Sequence, residues 1–384
     1  MKANLDRIVH VFGRLNYAGA ETLVMNLYRN INREKVQFDF VVHTEEKMDY
    51  EDEIYSLGGK IYRAPRFNGI NIIQYIKWWN EFFRNHIEYK IIHGHLRGSA
   101  VFYLYEAKRN GLITIMHSHS ISNGYGMTAI AKNILKYPLR FLSDYCLACS
   151  YPAGKWLFGK KKVHSDKFFL FKNAIDLDTY KFDIAKRNEM RKQLNVIDKI
   201  VIGHVGRFDD VKNHKFILRI LDELKKIESD IYLLLVGNGP LYDEINCIVK
   251  KMDLNDKVIF VGKKKNVCDY LQAMDLFLFP SLYEGLGISI VEAQVSGLKV
   301  VCSKGIPTEV DFSDNVKYLD LNESIKNWVD TILKCNENYI RKSYIFEAQK
   351  AGYDIKQCTR WIENFYQELI QQKERHKNVF SSIR

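Results

Sequence analysis

The sequence has little of what defines several large classes of protein. Proline is scarce, at 6 of 384 residues, so a proline-rich linker architecture is excluded. No apolar run approaches the ~20 residues that a membrane-spanning helix requires. The first ten residues also lack the apolar core and the cleavage site of a signal peptide. We therefore expect a cytoplasmic protein, in the cytosol or peripheral on the inner face of the cell membrane.

Cysteine is also used sparingly, and the 7 cysteines are scattered along the chain. This usage fits a reducing compartment and free thiols better than a disulfide framework. Cys146 and Cys149 have the C-x-x-C spacing of redox and zinc sites, but they lie in an apolar run and no second pair accompanies them. We interpret both as core residues.

The sequence does contain enough apolar residues for two folded domains. Hydrophobic residues make up 47% of the chain, which excludes intrinsic disorder. At ~100–200 residues per domain, the length predicts two domains. We place them at residues 1–178 and 179–354, followed by a C-terminal helix over 355–384 that returns toward the first domain.

Positive charge is concentrated in the first half of the chain. The formal net charge is +11, and residues 54–175 alone hold 18 Lys and Arg against 5 Asp and Glu. A basic region of this size is typical of proteins that meet nucleic acid, phosphorylated lipid or a membrane surface. A merely solvated basic surface is the alternative. No nucleic-acid-binding signature occurs, which favours a membrane or a lipid phosphate over nucleic acid.

Short β-rich runs alternate with longer helical patterns in both halves, before a helical tail over 322–373. This alternation predicts an α/β fold with two Rossmann-like domains, each built on a parallel sheet. We expect the carboxyl ends of the two sheets to face each other across a cleft, and 174–199 to be the hinge. The predicted strands lie near 7–12, 36–43, 60–63, 90–94, 112–117, 145–149, 200–206, 231–236, 257–261, 275–279 and 299–302. The predicted helices lie near 19–30, 70–85, 98–110, 128–142, 212–227, 240–252, 266–273 and 288–296.

The strongest local signal is F-P-S-L-Y-E-G-L-G-I-S-I-V-E-A-Q at 279–294. A buried strand ends there, and a glycine-containing loop leads into a helix whose first N–H groups suit a phosphate. Glu284 in this loop is suited to hold sugar hydroxyls, and Glu292 in the helix to accept hydrogen bonds from a ribose diol. The alternative is that Glu284 caps the helix and Glu292 is a surface residue. Glu292 lies among apolar residues, however, where a carboxylate needs a partner.

A second signal is G-H-V-G-R-F-D-D-V-K-N-H at 203–214. Arg207 follows a predicted strand and Lys212 precedes the next helix, so both are expected at the same edge of the sheet as Glu292. Two cations in that position form a clamp for a diphosphate. Surface pairing of one cation with Asp209 or Asp210 is the alternative.

Two glycine loops give weaker signals. G-R-L-N-Y-A-G-A-E-T at 13–22 has neither the dinucleotide nor the Walker A spacing, but Gly19 at a helix start lets a phosphate approach the backbone. G-N-G-P at 237–240 follows another strand and is suited to form a wall for a base or a diphosphate. The aromatic helix over 72–86 is most simply a core helix, with a membrane-interface helix as the alternative.

Four histidines end two neighbouring predicted strands. His93 and His95 end one strand, and His117 and His119 end the next. A metal site is one hypothesis for them. A polar floor that hydrogen-bonds a substrate is the other and is the more common use of such residues.

These motifs together resemble those of the retaining glycosyltransferases of family 4, whose two-Rossmann-domain architecture is called GT-B. The resemblance covers nearly the whole chain and is strongest with the branch that builds exopolysaccharide and capsule in bacteria. Two positions depart from the family pattern: Ala18 replaces the first glycine of G-G-A-E, and Ala174 replaces the glycine of N-G-I-D. The motifs that carry the resemblance are A-G-A-E-T-L-V-M-N-L-Y-R-N, M-H-S-H-S, F-K-N-A-I-D-L, V-G-R-F-x-x-x-K-N-H, V-G-N-G-P and S-L-Y-E-G-L-G-I-S-I-V-E-A-Q-V-S-G-L.

The resemblance implies transfer of a sugar from a nucleotide-diphosphate sugar with retention of configuration, without a metal ion or another cofactor. Arg207 and Lys212 would bind the diphosphate and stabilise its growing charge. Glu292 would hold the ribose hydroxyls and Glu284 those of the transferred sugar, while His117 would line the reaction centre. The leaving diphosphate would accept the acceptor's proton. The other expected substrate-binding positions are Gly19, Gly237, Asn238, Gly285, Leu286 and Gly287.

We expect the donor to be a UDP-sugar that carries a hexose or an N-acetylhexosamine. The expected acceptor is a saccharide or a polyprenyl-diphosphate-linked saccharide of cell-surface polysaccharide synthesis, with a membrane surface and no nucleic acid as further partner. Two alternatives remain, a nucleotide-sugar epimerase of the same architecture and a non-catalytic partner subunit. The spacing of Glu284 and Glu292 favours transfer over epimerisation, and the presence of Arg207 and Lys212 argues against a non-catalytic subunit.

Overall fold

The computed structural model describes residues 5–121, 133–337 and 339–381, and the chain divides into two compact units. The first unit consists of Met1–Ile175 together with Asp354–Arg384, and the second of Asp176–Tyr353. The boundaries predicted from the sequence lie at 178 and 354. The chain therefore leaves the first unit after Ile175 and re-enters it at Asp354.

The first unit is built on a seven-stranded parallel sheet of order β3-β2-β1-β4-β5-β6-β7. Its strands are β1 (Asp6–Val11), β2 (Val36–Val42), β3 (Ile61–Arg63), β4 (Ile91–Gly94), β5 (Ile113–Ser118), β6 (Tyr145–Ala148) and β7 (Phe168–Leu170). Its α-helices are Gly19–Asn30, Glu51–Ser56, Ile72–Asn85, Ala100–Arg109, Leu139–Leu142, Tyr151–Phe158 and Ile355–Ser381.

The last helix of the chain, Ile355–Ser381, completes one core of the first unit. Its apolar side chains Ile362, Phe365 and Leu369 belong to the same buried cluster as Ile8 of β1 and Phe38 of β2. The prediction that C-terminal helical structure packs on the first domain is confirmed for this helix. The two helices before it, Ile325–Asn336 and Ile345–Lys350, belong to the second unit instead.

The second unit is built on a six-stranded parallel sheet of order β10-β9-β8-β11-β12-β13. Its strands are β8 (Ile200–Val205), β9 (Ile231–Val236), β10 (Val258–Gly262), β11 (Leu276–Phe279), β12 (Lys299–Ser303) and β13 (Val316–Leu319). Its α-helices are Leu177–Tyr180, Ile184–Gln193, His214–Ile227, Tyr242–Lys251, Val267–Ala273, Ile288–Val295, Ile325–Asn336 and Ile345–Lys350.

The structure adds elements that the sequence pattern did not predict. The strands Phe168–Leu170 and Val316–Leu319 are short and lie at sheet edges, where the apolar signal is weak. The predicted hinge region contains the polar helix Ile184–Gln193, which the Asp183 side chain caps by accepting hydrogen bonds from Ala185 N and Lys186 N. The predicted helix near 128–142 lies partly outside the described residues.

Two further expectations concern the core and the membrane. Cys146 and Cys149 are buried, free thiols, which confirms them as core residues. The helix Ile72–Asn85 buries Tyr75, Trp79 and Phe82, as a core helix does. In the described part of the chain, no helix has both the length and the apolar character that crossing a bilayer demands.

Candidate functional site

The loops that follow β8 and β11 meet at the carboxyl edge of the second sheet. The order of this sheet reverses between these two neighbouring strands, and such a switch point is where ligands of α/β sheets bind. The two loops are joined by hydrogen bonds, since Leu282 N donates to Val211 O at 2.8 Å and Asn213 Nδ2 donates to Pro280 O at 3.2 Å. The two motifs found in the sequence therefore form one surface.

Lys212 and Glu284 are in direct contact on this surface. Lys212 Nζ lies 2.6 Å from Glu284 Oε1, and the two side chains are only 16% and 14% exposed. The ammonium group also lies 4.5 Å from the ring centroid of Phe279, at the end of β11. The Asp209 carboxylate accepts a hydrogen bond from the backbone N–H of Lys212, whereas the ammonium group of Lys212 is paired with Glu284. Lys212, predicted to bind phosphate, and Glu284, predicted to bind sugar hydroxyls, are therefore direct neighbours.

Glu292 is buried in the helix Ile288–Val295, so the interpretation of this residue as a surface glutamate is wrong. Tyr180 OH donates a hydrogen bond to Glu292 Oε1 at 3.0 Å. Burial raises the pKa of Glu292 to about 7, and the hydrogen bond from Tyr180 opposes this shift. Gly287, with φ +90°, is the residue before the helix. Buried Gly285 and Leu286 lie between it and Glu284.

Gly237 brings the loop after β9 against the loop after β8. A Cβ atom at Gly237, where φ is +148°, would lie 2.0 Å from Gly206 O, so only glycine fits. Asn238 continues this contact, because its carbonyl accepts a hydrogen bond from Phe208 N at 3.1 Å. The exposed Arg207 lies between Gly206 and Phe208. Gly237, Asn238 and Arg207 therefore belong to one edge of the sheet, as the sequence predicts.

In the first unit, Gly19 is the first residue of the helix Gly19–Asn30. It is exposed, and a Cβ atom there would meet nothing within 4 Å. Ala18, at the N-cap position, provides no side-chain hydrogen bond. In the first turn the Glu21 carboxylate accepts a hydrogen bond from its own backbone N–H. The exposed position of Gly19 before it is compatible with the approach of a phosphate to the backbone.

His117, on β5, is part of a cluster of five histidines in the first unit, of which four are buried and His119 is partly exposed. The register of β1 and β4 places His10 beside His93. His95 joins two partners, since its Nε2 lies 3.1 Å from His10 Nδ1 and its Nδ1 lies 2.9 Å from His119 Nε2. The His117 ring is stacked on the His119 ring with centroids 4.0 Å apart. These residues line the carboxyl ends of three adjacent strands.

Burial keeps these imidazoles neutral. It lowers the pKa of His10 and His119 to about 3 and that of His93, His95 and His117 well below the usual value. Ring nitrogens come within 4.8 Å of one another in two groups, His10–His93–His95 and His95–His117–His119, so each group could hold a metal ion. Neither group includes a carboxylate, and the positive charge of Arg97 acts on His119. Neutral imidazole nitrogens serve both as metal ligands and as hydrogen-bonding groups, so the geometry of the cluster is compatible with either use.

Three residues of these sites were missed in the sequence. Tyr180 comes from the predicted hinge and is 112 positions before its partner Glu292, so no local pattern links them. Tyr366, from the last helix, places its hydroxyl 2.6 Å from His93 Nδ1. His10 lies near the carboxyl end of β1. A search for histidines at the carboxyl ends of predicted strands, which identified the other four, would also have identified His10.

Comparison with known proteins gives matches along both units. Residues 17–179 match the family model described as Glycosyltransferase Family 4, and residues 186–351 match the one described as Glycosyl transferases group 1. The chain is 32% identical to EpsF of Bacillus subtilis (strain 168), named as a glycosyltransferase, over 95% of this chain and 97% of that protein. It is 26% identical to the capsular polysaccharide biosynthesis glycosyltransferase CapH of Staphylococcus aureus, over 94% of this chain and 98% of that protein.

The fold is similar to that of HepE of Anabaena, solved in complex with UDP and glucose. The TM-score is 0.78 at 16% identity, with 94% of this chain and 99% of that chain covered. At this level of identity the likeness concerns the fold alone. Two parallel-sheet α/β units of this kind form the GT-B fold, and the chain belongs to family 4 of the glycosyltransferases.

Proposed function

We propose that this chain is a retaining glycosyltransferase that takes a sugar from a UDP-sugar in cell-surface polysaccharide synthesis. The proposed acceptor is a saccharide, free or linked to polyprenyl diphosphate. The observation that carries the proposal is the contact between Lys212 and Glu284 at the switch point of the second sheet. The UDP and glucose bound to HepE and the capsular role of CapH support the choice of donor and of pathway.

Lys212 and Glu284 are two groups that we propose bind the donor, and without the donor they are paired with each other. A donor phosphate replaces the Glu284 carboxylate as the partner of Lys212, and Glu284 is then released to accept hydrogen bonds from the sugar hydroxyls. The exposed Arg207 supplies the second cation. Arg207 and Lys212 stabilise the negative charge that grows on the diphosphate as the bond to the sugar breaks.

The proposed reaction needs no separate general base. The bond between the anomeric carbon and the donor phosphate oxygen breaks, and a bond from that carbon to the acceptor oxygen forms on the same face. The acceptor's proton passes to the departing diphosphate. Two side-chain cations neutralise the leaving group, so we propose that no metal ion takes part. The proposed role of His117 is to hydrogen-bond the reacting sugar as a neutral imidazole, and that of Gly19 is to admit a phosphate.

A donor screen tests this proposal. We expect a UDP-sugar to raise the melting temperature of the chain, since it binds the folded form only. Lys212→Ala and Glu292→Ala are expected to abolish both this shift and transfer while leaving the fold intact. The control Lys251→Ala, at an exposed lysine that ends the helix Tyr242–Lys251 of the same unit, is expected to change neither.

The outcomes separate the alternatives. No shift with any UDP- or GDP-sugar contradicts the proposed donor class. Conversion of the donor sugar to its epimer without an acceptor indicates an epimerase. Donor binding with no transfer to saccharide or lipid-linked acceptors indicates a non-catalytic subunit. Wild-type turnover by either alanine variant shows that the site is wrongly assigned.

A further inference from the structure

Large apolar side chains are exposed on one side of the segment 133–142 in the first unit. Ile134 is 69% exposed, Tyr137 56% and Phe141 67%. Their spacing of three and four residues places them along one side of the helical turns that this segment forms. Isolated exposed apolar residues are ordinary, but a run of three large ones marks a contact surface.

Cations surround these apolar side chains. Lys136 Nζ lies 3.8 Å from the ring centroid of Trp156, and the Arg140 guanidinium lies 4.2 Å from that of Tyr137. Arg140 also lies against Gly159, directly before the lysines at 160–162. The segments 133–142, 151–158 and 159–162 therefore form one surface, which we call the basic apolar face.

The positive charge of this face has little acidic compensation. Residues 133–165 contain 6 Lys and Arg but only 1 acidic residue, Asp144, which is paired with Lys108 at 2.6 Å. Burial lowers the pKa of Lys136, and the charges of Arg97 and Arg140 lower it further. Clustered cations repel one another when few carboxylates lie nearby. Surfaces with such clusters are typical of proteins that bind an anionic partner.

We propose that the basic apolar face docks on a bilayer surface that contains anionic phospholipid. The lysines and Arg140 meet lipid phosphates, Tyr137 lies at headgroup level, and Ile134 and Phe141 enter the boundary of the acyl chains. The exposed side chains of Ile134 and Phe141 favour a lipid surface over nucleic acid, because they can enter the acyl-chain region but would gain little from contact with a phosphate backbone. This inference deepens the proposed function, because a polyprenyl-linked acceptor lies in such a surface.

The helix Ile72–Asn85 is the competing membrane surface. Ile70, just before this helix, is 93% exposed, and Ile73, in its first turn, is 85% exposed. Its lysine, Lys77, lies 3.8 Å from the Glu81 carboxylate, so this side offers less free positive charge. Ile70 and Ile73 therefore provide matched controls for the apolar residues of the basic apolar face.

Vesicle co-sedimentation tests the proposal without any sugar donor. The full chain is mixed with vesicles of phosphatidylcholine alone or with about one third phosphatidylglycerol, a composition chosen so that charge attraction supports binding. We expect binding to the anionic vesicles only. The double reversal Lys160→Glu with Lys161→Glu is expected to weaken it about thirtyfold or more, since each lysine near an anionic surface contributes about fivefold. Lys264→Glu with Lys265→Glu, at exposed lysines of the second unit, makes the same charge change and is expected to have little effect.

The apolar contribution is tested by Ile134→Ser with Phe141→Ser against Ile70→Ser with Ile73→Ser. We expect the first pair to lose vesicle binding and the second to retain it. Equal binding to neutral vesicles, no binding by the wild type, or loss only in the Ile70 and Ile73 variant would overturn the proposal. The melting-temperature shift with UDP-sugar, measured on every variant, reports on donor binding in the second unit. Failure of vesicle binding is thereby distinguished from failure of the proposed function.

Discussion

Glu292 shows how burial sets the chemistry of a single residue. Its side chain is held by Tyr180 and is otherwise enclosed, so the pKa of its carboxyl group is about 7 in the absence of donor. A protonated carboxyl accepts hydrogen bonds from a ribose diol less well than a carboxylate does. The proton on Glu292 therefore competes with the proposed donor.

From this competition we predict that donor binding depends on pH. Below pH 7 the donor must first displace the proton from Glu292, so the Kd is expected to rise by up to about tenfold for each pH unit. Above pH 7 the Kd is expected to be constant. Titration calorimetry with a UDP-sugar from pH 5.5 to pH 8 measures the effect. Glu292→Gln should bind more weakly at every pH and without this dependence; a variant with the wild-type pH profile would show that another group is responsible.

The residues of the donor site differ in how readily the sequence reveals them. Lys212 and Glu284 stand in motifs that follow strands, and parallel strands bring such motifs to one edge of a sheet. The sequence therefore predicts that they are neighbours, and the 2.6 Å contact is the structural result. Tyr180 was not predictable in this way, because its contact with Glu292 depends on the packing of a helix outside the sheet.

The elements of the chain were predicted where their pattern is long and periodic. The helix His214–Ile227 carries buried residues at helical spacing, and the sequence placed it within two residues of its observed start. The edge strands Phe168–Leu170 and Val316–Leu319 are too short to show a period, and the helix Ile184–Gln193 has almost no apolar face. Their positions depend on tertiary contacts that no local pattern encodes.

The last helix, Ile355–Ser381, stabilises the first unit although it is far from the rest of that unit in the sequence. It begins only after the whole second unit has been traversed, and it supplies a wall of the core of the first unit. Ile362 is fully buried and Leu369 is 4% exposed. An apolar contact at such a sequence distance must be made after the chain has returned, so the first unit cannot complete its core without it.

We accordingly predict that Ile362→Ala lowers the free energy of unfolding of the first unit by about 2–5 kcal/mol, the usual cost of a large-to-small change in a core. Urea unfolding followed by fluorescence measures this, because four of the five tryptophans lie in the first unit. Glu368→Ala, on the exposed side of the same helix, is the control and is expected to change stability little. Equal effects of both variants would indicate that the helix does not pack as described.

At the scale of the whole molecule, the two units carry different electrostatic properties. The first unit combines an excess of cations with a cluster of five neutral histidines, of which four are buried and His119 is partly exposed. The second unit concentrates its chemistry in paired groups such as Lys212 and Glu284. The second unit also contains two buried histidines with a lowered pKa, His204 and His214. The larger number of such imidazoles in the first unit makes that unit the more sensitive to acid, because they bind protons more readily when they are released into water.

This difference predicts acid sensitivity of the first unit. Each histidine with a lowered folded-state pKa takes up a proton on unfolding, so its contribution to stability is complete above its unfolded-state pKa of ~6.5 and is lost as pH falls toward the folded value. The carboxyl group of Glu21, in the first unit, has a raised pKa of about 7 and acts in the opposite sense, but the histidines outnumber it. We expect the urea midpoint of the first unit to fall steadily from pH 7 to pH 5. His119→Gln is expected to reduce the slope of the free energy of unfolding against pH by up to ~1.4 kcal/mol per pH unit. The control His164→Gln, at an exposed histidine, is expected to leave this slope unchanged. A midpoint that rises on acidification, or equal slopes in the two variants, would show that the cluster is not neutral in the folded chain.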